Sequence, residues 1–131
     1  LCLSGVGGVF TGPVLWVGVA ISLGGTGVRV WAIHSLGRFF SPVIRIESDH
    51  EIVRGGPYRW LRHPSYTGIY LATIGAVVAL GSLSGALLTA AIVLATLAHR
   101  IRLEERMLLD RFGTEYEQYA RSTWRLLPWI Y

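Results

Sequence analysis

The chain has 131 residues, 52% of them hydrophobic, and a mean hydropathy of +0.47. This composition is too apolar for an ordinary soluble fold, so we expect a membrane protein. The formal net charge is +4, but arginines and acids are interleaved and lie beside long apolar stretches. That pattern favours arginines at the cytoplasmic face of a membrane over a nucleic-acid interface.

The first uncharged stretch, residues 1–28, exceeds the roughly 18 to 20 residues of a membrane span. It is too long for a secretory signal and lacks a basic start, so we predict a membrane helix over about residues 13–36, with Pro13 in its first turn. Gly8 and Gly12 are spaced for close helix contact, as are several later glycines, but the pattern carries little weight because small residues are common in membrane helices. Because the chain begins with Leu, we expect further sequence upstream.

Residues 37–64 are polar, and we predict a cytosolic loop. Pro57 and Pro64 each disfavour helix at the residue before them, so the run over residues 56–66 is expected to be irregular. Backbone groups left unpaired in such a loop are available to a ligand.

The second uncharged stretch, residues 65–98, is too long for one crossing and contains a turn-like run at residues 81–85. We predict a helical hairpin that returns the chain to the side of the loop, which the positive-inside rule makes cytoplasmic. The second arm is expected to continue to Phe112 and to end at Gly113. Residues 1–131 are thus predicted to form a single all-α, multi-pass membrane domain.

Residues 99–131 are predicted to form a cytosolic helix and an interfacial tail. Thr114 and Glu117 have the spacing of a capping box at the start of a last helix. The aromatic residues of this end are interpreted as anchors at the level of the lipid headgroups. They are Tyr116, Tyr119, Trp124, Trp129 and Tyr131.

No metal site is expected. Cys2 is the only cysteine, which excludes an internal disulfide and a cysteine-based metal cluster. The histidines show no helical metal-ligand spacing. They are His34, His50, His63 and His99.

One set of motifs is more specific than any other feature. It comprises His50, Ile52-Val53, Gly56-Pro57-Tyr58, Arg62-His63-Pro64-Ser65-Tyr66, Gly68, Glu104-Glu105, Phe112-Gly113, Tyr116 and Tyr119. In order and spacing it resembles the isoprenylcysteine carboxyl methyltransferase family over about residues 36–130. Phospholipid N-methyltransferases share a looser version.

The resemblance implies an integral membrane enzyme that transfers a methyl group from S-adenosylmethionine to a lipophilic acceptor. The cofactor pocket would be formed by the loop and the carboxy-terminal helices and would open to the cytosol. The implied cofactor contacts are His50, Glu51, Ile52, Val53, Tyr58, His63, Pro64, Ser65, Tyr66 and Glu104. Arg100 matches the family's substrate-contacting arginine, and the catalytic candidates are Arg100, Glu104 and Glu105. Val43 stands where the eukaryotic enzymes have a polar cofactor contact.

Chemical reasoning agrees in part with this assignment. The ligand needs an acid, hydroxyls and aromatic walls, and Tyr58 or Tyr66 could shelter its sulfonium by a cation–π contact. A carboxylate acceptor needs no general base, and Arg100 could grip both of its oxygens. An amine acceptor would be better served by a base such as Glu105 or His99.

Alternatives stay open at this point. Arg100 and Glu104 are four residues apart on a helix and could simply pair with each other. The chain could instead be an NADPH-dependent membrane reductase of the sterol type, whose carboxy-terminal core is similar, or a non-catalytic scaffold. The expected partners are membrane lipid and a lipophilic or prenylated substrate, without nucleic acid, and the oligomeric state is left open.

Overall fold

The computed structural model describes residues 12–40 and 51–131, and the regular elements in these ranges are all helical. They are α1 (Pro13–Leu36), α2 (Pro64–Ala79), α3 (Leu83–Phe112), α4 (Thr114–Arg121) and short 3-10 turns at Gly37–Phe39 and Gly56–Arg59. The expected all-α class is confirmed. His50 and Val43 lie outside the described residues.

Two of these helices have the length and composition of membrane spans. Pro13–Phe39 and Leu83–Phe112 are long and apolar enough to cross a bilayer, whereas α2 is a shorter apolar helix of 16 residues. Helix α1 begins at Pro13 as predicted, because proline fits the first helical position, where no amide donor is needed.

Helices α1 and α2 pack antiparallel through glycines. A Cβ atom at Gly18 would lie 2.7 Å from the carbonyl oxygen of Gly75, and one at Gly25 would lie 2.8 Å from that of Gly68. Only glycine permits the two backbones to come this close. Gly12, by contrast, meets nothing within 4 Å, and Gly8 lies outside the described residues, so the close contact is made by later glycines of the chain.

The predicted hairpin is present, but its turn is shorter than expected. Helix α2 ends at Ala79, Gly81 adopts a φ of +78°, and α3 resumes at Leu83. The Ser82 hydroxyl accepts a hydrogen bond from the Gly85 amide at 3.0 Å and so caps α3. The second half of the predicted turn is therefore the first turn of a helix.

Helix α3 runs to Phe112 and ends at Gly113, whose φ is +55°, as predicted. The predicted capping box is wrong. Gly113 is itself the N-cap of α4 and Thr114 is already helical, with no side-chain cap. Because α4 follows α3 after a single residue, no extended position remains for Thr114 to occupy.

The last ten residues fold back onto the loop before α2. The Trp124 amide donates to the Trp60 carbonyl at 2.8 Å, and the Arg62 amide donates to the Trp124 carbonyl at 2.7 Å. Leu126 is fully buried and packs with Leu97 and Ile101 of α3. The tail therefore joins the loop to the middle of α3.

Candidate functional site

The hairpin brings two of the segments that carry the resemblance to one place. Pro64 starts α2 directly after the loop, and α3 continues beyond the apolar hairpin for several turns. As a result, His63 and Tyr66 lie against Glu104 and Glu105 on α3.

His63 lies between the two glutamates. Its Nδ1 is 3.6 Å from Glu104 Oε2 and its Nε2 is 3.3 Å from Glu105 Oε1, and its side chain is only 5% exposed. Burial alone lowers the pKa of His63, but hydrogen bonds and charge interactions with both carboxylates outweigh it, so the pKa is raised above its ordinary value. Both ring nitrogens face acceptors, which is the arrangement that an imidazolium satisfies.

The two glutamates have different partners. Glu104 accepts a hydrogen bond from the Tyr66 hydroxyl and lies 3.6 Å from Arg100 Nε. Glu105 lies 3.1 Å from the Nε atoms of both Arg62 and Arg125. The Glu104 side chain is 24% exposed and that of Glu105 is 11% exposed, so Glu104 is the more accessible to a ligand.

A small cleft that opens to solvent lies next to this ion cluster. Its lining residues come from α1, the loop, α3 and α4. They are Leu36, Glu51, Ile52, Val53, Tyr58, Arg62, Leu108, Tyr116 and Tyr119. The Tyr119 hydroxyl donates to the Tyr58 carbonyl at 2.7 Å, which ties α4 to the loop.

The implied cofactor contacts fall into two neighbouring groups. Glu51, Ile52, Val53 and Tyr58 line the cleft, and the ion cluster contains His63, Tyr66 and Glu104. Arg62 belongs to both, because it lines the cleft and pairs with Glu105.

Two further implied contacts, Ser65 and Pro64, lie at the start of α2. Ser65 accepts a hydrogen bond from Arg29 Nη1 on α1 at 3.1 Å. Pro64 is fully buried at the start of α2. Their role in cofactor binding stays a prediction, as does that of His50.

The interpretation of Tyr116 and Tyr119 as headgroup anchors is wrong. Their exposed fractions are 2% and 6%, and both rings line the cleft. The three-residue spacing on a short helix with charged neighbours is typical of a buried face and could have revealed this. Trp124 and Trp129 are 43% and 85% exposed, which fits the original interpretation.

Arg62 and Arg125 are the site residues that sequence reasoning missed. Each lies within a charge-rich region where an arginine is usually solvated. The hairpin brings Arg62 of the loop to Glu105, and the fold of the tail onto the loop brings Arg125 to the same carboxylate.

The profile of the isoprenylcysteine carboxyl methyltransferase (ICMT) family matches residues 16–110. The probable protein-S-isoprenylcysteine O-methyltransferase of Oryza sativa subsp. indica is 34% identical over 119 residues, which are 89% of this chain and 62% of that protein. The protein-S-isoprenylcysteine O-methyltransferase of Saccharomyces cerevisiae is 32% identical over 116 residues, which are 87% of this chain and 48% of that protein.

A solved structure is also similar. The eukaryotic intramembrane Ras methyltransferase ICMT superposes with a TM-score of 0.85 at 30% sequence identity, over 89% of this chain and 43% of that chain. This chain therefore spans less than two thirds of the length of these relatives. The match of the family profile over most of its residues shows that the chain belongs to the isoprenylcysteine carboxyl methyltransferase family.

Proposed function

We propose that this chain binds S-adenosylmethionine and transfers its methyl group to the carboxylate of a prenylcysteine-like or other lipophilic acceptor. The observation that carries this proposal is the meeting of the Arg62-to-Tyr66 segment with Glu104 and Glu105 beside an aromatic cleft. The names of the relatives, which are isoprenylcysteine O-methyltransferases, support it. Family membership also favours a methyltransferase over a sterol-type reductase or a scaffold.

The residues of the cleft fit the proposed cofactor. S-Adenosylmethionine supplies an electrophilic methyl group on a positively charged sulfur and also carries an amino group, a carboxylate and an adenine. Tyr58 and Tyr119 offer aromatic surfaces, Glu51 offers a carboxylate for a cation, and Arg62 offers a guanidinium at the cleft wall. The buried Tyr116 hydroxyl has no hydrogen-bond partner within the described part of the chain, so this wall retains an unused donor.

The arrangement of charges favours a carboxylate acceptor over an amine. An amine acceptor needs a base to remove its proton. His63, Arg62 and Arg125 all pair with Glu105 and stabilise its ionised form, so this carboxylate is a weak acceptor for a proton. A carboxylate has no proton to lose. The protein then has only to orient the acceptor in line with the methyl group and to exclude water.

Arg100 is the residue proposed to orient the acceptor. It lies on α3 one turn before Glu104, and its side chain is 37% exposed. Its guanidinium carbon lies 5.7 Å from the centre of the Tyr66 ring. A planar guanidinium at this point could hold both oxygens of a carboxylate whose lipophilic chain lies along the apolar part of α3.

We also propose that the site faces the cytoplasm. Antiparallel packing of α1 on α2 places the start of α1 and the turn before α3 at the same end. The arginines that flank the helices lie at the other end, together with the site. The positive-inside rule assigns that end to the cytoplasm.

Purified protein in lipid nanodiscs is expected to transfer labelled methyl groups from S-adenosylmethionine to farnesylcysteine analogues. Fatty acids and phosphatidylethanolamine, tested in the same panel, are expected to accept less label. Binding of S-adenosylmethionine but not NADPH would separate the proposal from a reductase. Methylation of phosphatidylethanolamine in preference to every carboxylate would contradict it.

Arg100→Ala is expected to keep the affinity for S-adenosylmethionine within about twofold of the wild-type value. The rate of methyl transfer to farnesylcysteine is expected to fall by about a hundredfold, because the variant loses a charge-assisted contact to the carboxylate. Isothermal titration measures the first quantity, and the rate of label transfer measures the second. The exposed Arg102→Ala variant, two residues along α3, serves as the control. Transfer by Arg100→Ala at the wild-type rate would show that Arg100 is only structural.

A further inference from the structure

Glu105 is the point at which three segments of the chain meet. The Glu105 side chain on α3 forms an ion pair with Arg62 of the loop and hydrogen bonds with His63 of the loop and Arg125 of the tail. Its two oxygens divide these partners. Oε1 faces the loop residues at 3.1 and 3.3 Å, and Oε2 faces Arg125 at 3.1 Å.

Arg125 is linked to His63 both directly and through Glu105. Its backbone carbonyl accepts the His63 amide at 3.1 Å. Its guanidinium pairs with the same carboxylate that contacts His63 Nε2. One residue of the tail therefore fixes the backbone of His63 directly and its ring through Glu105.

We propose that Arg125 is a positioning residue of this site, whose guanidinium fixes the Glu105 carboxylate and thereby orients the His63 imidazole. This inference rests on the proposed function and adds the carboxy-terminal tail to the site. Glu105, which is a catalytic candidate in the sequence analysis, then holds the His63 ring in place rather than accepting a proton.

The side chain of Arg125 can be tested without removing the tail. Leu126 is fully buried, its carbonyl accepts a hydrogen bond from the Thr67 hydroxyl, and backbone bonds hold the tail on the loop. None of these contacts uses the Arg125 guanidinium, although its central carbon lies 5.2 Å from the Tyr131 ring. A substitution at the Arg125 side chain therefore leaves the buried Leu126 and the backbone bonds of the tail in place and, within the tail, removes only the contact with Tyr131.

The charged and titratable groups that face His63 define the expected pH dependence. Glu104 and Glu105 face it from α3, Tyr66 stacks on it from α2, and Arg62 and Arg125 pair with Glu105 from the loop and the tail. Removing the Arg125 cation leaves Glu105 freer to stabilise the imidazolium, so the pKa of His63 rises further. If methyl transfer requires the His63 imidazolium between Glu104 and Glu105, the transfer activity is lost at a higher pH in the variant than in the wild type.

Arg125→Gln is expected to lower kcat/KM for methyl transfer by about tenfold and to move its alkaline limb to higher pH. Arg125→Lys keeps the charge and is expected to restore the position of the limb and most of the rate. Arg121→Gln, on an exposed arginine of α4, is the matched control and is expected to match the wild type. A loss that is equal at every pH and is not restored by lysine would overturn the proposal.

NMR of labelled histidine in nanodiscs gives a second readout that does not require turnover, with the His63 signal identified by its loss in His63→Asn. The His63 titration is expected to move to higher pH in Arg125→Gln and to stay in place in Arg121→Gln. An unmoved titration in Arg125→Gln would refute the positioning role. If the wild-type protein transfers no methyl group, the proposed function fails, and the NMR titration still decides the role of Arg125.

Discussion

His63→Ala is expected to abolish binding of S-adenosylmethionine while leaving the protein inserted in the membrane. The substitution removes the cation between Glu104 and Glu105, whose oxygens lie 3.6 and 3.3 Å from its ring nitrogens. Without the imidazolium, the two carboxylates repel each other and the proposed cofactor site loses its shape. We expect the affinity for S-adenosylmethionine to fall by more than about a hundredfold, which corresponds to about 2.7 kcal/mol of binding free energy.

Glu104→Gln tests the same site from the opposite side. The amide keeps the shape of the side chain but removes the charge that faces His63, Tyr66 and Arg100. We expect binding of S-adenosylmethionine to fall to the same extent, as measured by isothermal titration. His99→Ala, on an exposed histidine of α3, serves as the control. Unchanged affinity in both His63→Ala and Glu104→Gln would refute a cofactor site at this cluster.

Insertion and folding must be measured separately from binding. Protease protection in vesicles reports the membrane topology, and gel filtration in detergent reports aggregation. We expect both to match the wild type in His63→Ala, because the helices that carry the apolar surface are untouched. A variant that binds poorly and also aggregates would report only a folding defect, and Glu104→Gln would then carry the test.

Much of the helical architecture could be predicted from hydropathy and from the proline and glycine residues at helix ends. Pro13 begins α1, Gly113 ends α3, and the long uncharged stretch becomes a hairpin. These features are local, because each depends on a residue type and its immediate neighbours. The predicted turn is too long because it includes Gly85, whose amide is capped by the Ser82 hydroxyl within the first turn of α3.

The pairing of glycines could not be derived in the same way. Gly18 and Gly25 are seven residues apart, as are their partners Gly68 and Gly75. Small residues are common in membrane helices, so this spacing alone does not say which face meets which helix. The register is set by the packing of α1 against α2.

The residues of the candidate site that belong to the sequence motif could be predicted, whereas those that reach the site through tertiary folding could not. His63, Tyr66 and Glu104 lie together as the resemblance implied. The contributions of Arg125 and Tyr119 depend on how α4 and the tail turn back onto the loop. Their charge and aromaticity suggested a solvated or interfacial role, because sequence alone does not show what covers a side chain.

Gly25→Leu is expected to separate α1 from α2 and to destroy the site. The first atom of the new side chain would already lie 2.8 Å from the Gly68 carbonyl oxygen and closer still to the Ala72 amide nitrogen. Both obstacles are helix backbone, which cannot turn aside as a flexible side chain can, so the helices must move apart. Inserting bulk into a well-packed interface commonly costs about 1 to 3 kcal/mol, and a full leucine against backbone is expected to exceed that range.

Gly24→Leu is the matched control for this effect. A Cβ atom at Gly24 meets nothing within 4 Å, although it is the neighbouring residue on the same apolar helix. Thermal unfolding in detergent is expected to show a large loss of stability for Gly25→Leu and none for Gly24→Leu. Cofactor binding should be lost with the first variant only, because α1 supports the start of α2 through the Arg29–Ser65 hydrogen bond. Equal melting temperatures for the two variants would contradict the glycine-mediated packing and, with it, the role of α1 in holding the loop.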